Sequence, residues 1–272
     1  SNQSIAIGYL SKAAGRNIGG GGDPALAVGA GAKATAGGAT AIGMVANASN
    51  TFATAIGKSA AASGDSSIAI GQNTKATQEK AIAIGDASQA TNIGATALGR
   101  SSEATGSSAT ALGSLASATG TTATAVGMQA SASGSESLAI GNTASATSGR
   151  ALAVGTNAKA TGASSVAVGS GAGGSGPRGF ASSINSSGSV VNTNKTINYA
   201  TIAEGDNAVA LGYYANAKNS GVAVGQNALA ATGGVAIGKG VFEDTNNIHA
   251  GGVAIGLDSA STGVYSLAMG RH

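Results

Sequence analysis

The sequence predicts an all-β fold, a parallel β-roll (β-solenoid) of 14-residue coils, on three observations. A tetrapeptide of the form apolar or Thr, Ala, apolar, Gly recurs seventeen times, and from Gly29 to Gly169 its glycine returns every 14 residues ten times running. The composition excludes an ordinary core: 272 residues contain 46 Gly, no Trp, no Cys, three Phe and five Tyr, and the 42% hydrophobic fraction is dominated by Ala. Around each glycine the side chains alternate with period 2, the signature of short strands. A fixed period of this kind marks a repeat architecture in which one unit buries its faces only against its neighbours.

The elements follow in order within a coil. The residue before Gly is Ile, Val, Leu or Met, as in Ile42, Ile56, Ile70, Ile84, Leu98, Leu112 and Val126, and we expect it at the deepest core position. The residue two earlier shares its face of the strand. It is aliphatic in twelve copies and Thr in five (Thr40, Thr54, Thr96, Thr110, Thr124), so it should be less completely buried or close to polar backbone. After the Gly comes a second short strand of the form Ala-x-Ala-Thr, as in Ala116-Ser117-Ala118-Thr119 and Ala158-Lys159-Ala160-Thr161. Its second Ala should interdigitate with the Ile or Val of the facing strand. Gly, Asn, Ser and Thr supply the two turns, and the repeated Gly takes a backbone conformation that a Cβ would resist. Equivalent strands should pair in parallel, one coil every 4.8 Å or about that.

The middle residue of the tetrapeptide is Ala in every copy: Ala6, Ala27, Ala41, Ala55, Ala69, Ala83, Ala97, Ala111, Ala125, Ala139, Ala153, Ala167, Ala210, Ala223, Ala236, Ala254 and Ala268. It points away from the Ile and Val. On a solvent-facing surface such a position should drift to better strand formers, so a second copy of the chain is expected to press on it in a closed symmetric oligomer. Ala41 through Ala167 and Ala210 are thus the expected oligomer interface.

The repeats resemble the heads of trimeric autotransporter adhesins, typified by the Yersinia adhesin, whose units read roughly Asn-Ser-Val-Ala-Ile-Gly. The matching copies are Ser66-Ser67-Ile68-Ala69-Ile70-Gly71, Glu136-Ser137-Leu138-Ala139-Ile140-Gly141, Ser164-Ser165-Val166-Ala167-Val168-Gly169 and Asp206-Asn207-Ala208-Val209-Ala210-Leu211-Gly212. The resemblance implies a left-handed roll and a homotrimer. It also implies display on the bacterial cell surface, through a stalk and a C-terminal outer-membrane anchor that are not in this sequence. Host extracellular-matrix proteins (collagen, fibronectin or laminin) are the implied partners, with cell adhesion, autoagglutination and virulence the implied roles. Carried over from the head-repeat motif, the ligand-binding candidates are Ser67, Ile68, Ile70, Ser137, Leu138, Ile140, Ser165, Val166, Val168, Asn207, Val209 and Leu211. The alternative from another class is a structural or ice-binding β-solenoid without host-protein binding. A paired Thr-x-Thr array is missing from the second strand, where Thr77, Thr91, Thr105, Thr119, Thr147 and Thr161 stand singly and are interrupted by Ser49, Ser63 and Ser133.

Residues 1–172 and 206–272 read as head repeats, separated by an insert at 173–205, with a second loop insert at 240–251. The step from Gly169 to Gly212 is 43 residues, 29 more than one coil. By the same resemblance the insert is a short hairpin-like excursion that crosses onto a neighbouring subunit. The loop around Gly19–Gly22 lacks the Lys-Ser/Thr ending of a phosphate loop. Because the chain begins Ser1-Asn2-Gln3 and opens and closes in mid-repeat, we expect it to be a piece of a longer protein.

No catalytic constellation, cofactor motif or metal cluster emerges, so the chain reads as a non-enzyme. The two histidines are His249 and His272, and Glu243 and Asp244 beside His249 are adjacent side chains that do not converge on a metal unaided. Fourteen basic and eleven acidic residues are scattered singly, giving a net charge of +3, which argues against nucleic acid as a partner. No apolar run of about 18 residues offers a membrane-spanning helix.

Overall fold

In a computed structural model of the chain, the structure is described for residues 3–15, 23–170, 182–184, 190–192, 201–240, 242–243, 251–261 and 265–271. It divides into two compact units, Ser1–Glu136 and Ser137–His272. Each is a parallel β-solenoid, and among the described residues there is no helix.

One coil of the first unit shows how the sequence builds the rest. Residues Ile82–Ile84 form a three-residue leading strand and Gln89–Ala90 a two-residue trailing strand. The leading strand pairs in parallel with Ile68–Ile70 and Thr96–Leu98, in a register that places Ala83 against Ala69 and Ala97. The trailing strand pairs with Lys75–Ala76 and Glu103–Ala104. Two sheets therefore face each other, one of leading and one of trailing strands. The second unit repeats this arrangement, as in Leu152–Val154 beside Leu138–Ile140 and Lys159–Ala160 beside Ser145–Ala146.

The turns make the register obligatory. After the leading strand, Gly85 has φ +129, and a Cβ built there would lie 2.4 Å from the carbonyl oxygen of Gly99 in the next coil. The expectation for this glycine holds along the repeat, from φ +123 at Gly155 to +149 at Gly169. Each turn also holds a residue in the left-handed region that is often not glycine, including Val45 (φ 58), Phe52 (φ 54) and Leu115 (φ 59). Such residues carry a steric cost of roughly 1–2 kcal/mol each, offset here by hydrogen bonds on both sides of the turn. Val45, for example, donates its backbone N–H to Ala30 at 2.9 Å.

The interior reverses an expectation. The unvarying Ala lies inside: Ala41, Ala55, Ala69, Ala83, Ala97, Ala111, Ala125, Ala139, Ala153, Ala167 and Ala210 are all 0% exposed within the single chain. They face the trailing-strand alanines, so that Ala39, Ala41, Ala46 and Ala48 fill one layer and Ala109, Ala111, Ala116 and Ala118 another. They cannot be an interface with another chain. The Ile, Val and Leu before the glycine, expected to be deepest, point outward; Leu98 and Leu112 are each 41% exposed. The reason is volume. Sheets joined by such short turns approach closer than the roughly 10 Å of ordinary face-to-face sheets, and only a methyl-sized side chain fits between them.

Where the layer is not all Ala, it holds Ser or Thr, and most of these have a local acceptor, the buried hydroxyls of Ser137 and Ser259 being without one among the described residues. Buried Ser88 donates its hydroxyl to the Gly85 carbonyl at 3.1 Å, and Ser102 to that of Gly99 at 2.9 Å. The hydroxyl thus stays paired in a site that would otherwise penalise it.

The second unit closes a coil across the long insert. Val166–Val168 is followed in space by Ile202–Ala203, which pairs with Lys159–Ala160 in register. Buried Thr201 donates to the carbonyl of Gly212 at 2.7 Å, as Thr74 does to that of Gly85 at 2.9 Å. Residues 201–203 therefore belong to the roll, and the excursion expected at 173–205 ends before them. Within it, Ser182–Ile184 and Val190–Asn192 pair antiparallel. Phe242–Glu243 likewise pairs with Leu229 and with Ala260–Ser261, so these two residues are roll rather than loop. The glycine loop at 19–22 lies outside the described residues.

Candidate functional site

A coil has two outward sheet faces and two turn edges, and each collects a different chemistry. The outward face of the leading strands carries two side chains per coil. One row reads Val28, Ile42, Ile56, Ile70, Ile84, Leu98, Leu112, Val126 in the first unit, half-buried or exposed throughout. Its companion row reads Leu26, Thr40, Thr54, Ile68, Ile82, Thr96, Thr110, Thr124, all half-buried, as expected for the threonines. In the second unit the two rows begin Ile140, Val154, Val168, Leu211 and Leu138, Leu152, Val166, Val209. Contiguous apolar surface of this kind marks an interaction face. The sequence signal for it was Thr sharing one position with Ile, Leu and Val, because an interior that holds only Ala, Ser and an occasional Thr has no room for the larger side chains.

The motif-derived ligand candidates divide on this geometry. Ile68, Ile70, Leu138, Ile140, Val166, Val168, Val209 and Leu211 stand on the outward apolar face. Asn207 is exposed in a turn with φ 56. Ser67, Ser137 and Ser165 are at most 1% exposed and cannot touch a ligand; Ser67 and Ser165 donate to the carbonyls of Gly64 and Gly162, each at 2.7 Å.

The outward face of the trailing strands is polar and one side chain wide. In the first unit it reads Lys12, Lys33, Asn47, Ala61, Lys75, Gln89, Glu103, Ser117, Ser131. A row of hydroxyls runs alongside it through Thr35, Ser49, Ser63, Thr77, Thr91 and Thr105. The turn edges hold the remaining charge and aromatics. Glu79 pairs with Lys80 at 2.8 Å, which lowers the carboxyl pKa and raises that of the ammonium through the hydrogen bond they share. Tyr213 and Tyr214 meet with ring centroids 3.9 Å apart and ring planes tilted by 53°, and their hydroxyls bond at 3.0 Å. That hydrogen bond raises the Tyr213 pKa above 10.0.

Among the described residues no group of three or more His, Cys, Asp or Glu converges to hold a metal ion. Asp244, His249 and His272, and the side chain of Glu243, lie outside the described residues. Nor is any described helix long and apolar enough to cross a membrane.

What this geometry defines is a class of repeat protein whose interior is complete and whose chemistry is displayed on extended outer faces. Comparison with protein families narrows the class. The profile of the YadA head domain repeat matches residues 1–17, 21–46, 48–74, 62–88, 76–102, 90–116, 104–130, 118–144, 132–153, 146–172, 199–215 and 250–272. The chain belongs to this family of YadA-like adhesin head repeats. A comparison with curated proteins finds no match.

Proposed function

We propose that the chain is the head of a bacterial surface adhesin that assembles as a homotrimer and holds host extracellular-matrix proteins on its outside. The observation that carries the assembly is the outward row of Ile, Val and Leu beside a core already filled by Ala. A single chain with a full interior has no use for such a row, and its burial needs another copy. The apolar face of the leading strands then forms the seam between copies, and the polar face of the trailing strands stays in solvent. Repeated weak contacts along that face suit a fibrous ligand such as collagen, fibronectin or laminin through multivalency. Cell adhesion and autoagglutination follow from many heads displayed on one cell, held by an outer-membrane anchor elsewhere in the protein.

The test uses the double substitution Leu98→Lys and Leu112→Lys, read by light scattering and by solid-phase binding to the three matrix proteins. The parent chain should be a trimer that binds at least one of them, and the variant should be monomeric with its binding lost or strongly weakened. A monomeric parent overturns the assembly; a trimer that binds none of the three overturns the ligand class.

A further inference from the structure

The first coils concentrate uncompensated positive charge on the polar face. Lys12 and Lys33 stand directly opposite each other on neighbouring trailing strands. Lys75 stands on the same row, with Asn47 and Ala61 between it and Lys33. Lys58 lies on the turn that leads into the Ala61–Ala62 strand, one coil before Lys75. All four are exposed, and none forms an ion pair with a described residue.

The acids of these coils lie elsewhere. Asp23, Asp65 and Glu79 sit on the opposite turn, where Glu79 is engaged by Lys80. Asp86, on the turn before Gln89, and Glu103, on the row itself, come only after Lys75. Like charges set opposite each other across a strand pair destabilise it. With a rise of about 4.8 Å per coil, the row from Lys12 to Lys75 spans roughly 19 Å. Hydroxyls of Thr35, Ser49, Ser63 and Thr77 line its edge, adding neutral donors beside the ammonium groups.

We propose that this face binds a linear sulfated polysaccharide laid along the coil axis. Sulfate groups would bridge Lys12 with Lys33 and then Lys58 with Lys75, while the hydroxyl row donates to sulfate and sugar oxygens. Spaced point charges on a flat, rigid face match a polymer with anions at intervals better than a single small anion. Lysine ammonium groups engage such oxygens without the planar fork that arginine brings. The proposal concerns a ligand of different chemistry from the matrix proteins, and its result does not depend on theirs.

The test measures binding of the intact chain to immobilised heparin at low and high salt, with hyaluronan and duplex DNA as comparators. Heparin should bind with an affinity that falls steeply with salt, by counterion release. Hyaluronan, which carries carboxylates but no sulfate, and DNA should bind about tenfold more weakly or less. The combined Lys12→Gln, Lys33→Gln and Lys75→Gln variant should lose about tenfold in heparin affinity, and Lys159→Gln should change it by less than about twofold. Glu103→Lys extends the row and should strengthen binding by about threefold, a gain that misfolding cannot mimic. The proposal is overturned by no heparin binding at low salt, by binding that ignores salt, by an unaffected triple variant or by an inert Glu103→Lys. Equal affinity for DNA or hyaluronan would reassign the face to polyanions in general and overturn the sulfated ligand.

Discussion

Gly85 leaves its strand at φ +129 with the Gly99 carbonyl oxygen 2.4 Å from where a Cβ would stand. The obstacle is backbone of the next coil and cannot rotate away, so Gly85→Ala should destabilise the chain by about 2–4 kcal/mol, measured by chemical denaturation. The neighbouring core positions make opposite predictions from one volume argument. Ala83→Leu forces a large side chain between two sheets held at methyl distance and should prevent folding or cost at least about 3 kcal/mol. Ser88→Ala removes a hydroxyl together with its own hydrogen bond to Gly85 and restores the residue that most layers already hold. Its effect on the denaturation midpoint should stay within about 1 kcal/mol. Val45 offers a gain: it is β-branched, 54% exposed and held at φ 58. Val45→Asn should stabilise by about 1 kcal/mol, because Asn tolerates the left-handed region better.

At the scale of the strand, the period, the in-register parallel pairing and the turn glycine were all legible, because alternation and spacing are one-dimensional properties. Which face points inward was not. A pattern such as Thr96-Ala97-Leu98 states that Ala opposes Thr and Leu, and hydrophobicity alone assigns Leu to the interior. The correct assignment needs the distance between the sheets, which depends on how short the turns are. Two clues in the sequence carry that information: the trailing strand also alternates around buried alanines such as Ala104 and Ala118, and threonine shares the face of the larger aliphatics. Four small residues per coil, facing in pairs, describe a lumen too narrow for Leu. The consequence for assembly is direct, since substitutions at Ala97 act on folding, whereas substitutions at Leu98 act on what the outward face touches. Leu98→Lys should shift the oligomeric state by light scattering and lower the melting temperature only by the loss of assembly, leaving a calorimetric melt that no longer rises with protein concentration as the parent's does.

At the scale of the whole molecule, the long insert interrupts a coil without interrupting its chemistry. Thr201 occupies the slot that Ala158 holds one coil earlier, since Ile202 pairs with Lys159 and Ala203 with Ala160. The 43-residue step from Gly169 to Gly212 exceeds the 14-residue period by 29, which is the length from residue 172 to residue 200. Deleting those residues joins Gly171 to Thr201 and restores the period. The ladder partners of Ile202–Ala203 on both sides, Lys159–Ala160 and Asn216–Ala217, are retained. Repeat stability is a sum of coil and nearest-neighbour contributions, and shortening a closed loop lowers its entropic cost by a small amount. The deletion variant should therefore fold with a melting temperature equal to or slightly above the parent's. That makes it a clean separation of roles. If the insert carries the ligand contacts, the variant loses matrix-protein binding while keeping its melt. If the repeated polar face carries them, binding survives the deletion. A variant that fails to fold would show instead that residues 172–200 contribute to the roll itself.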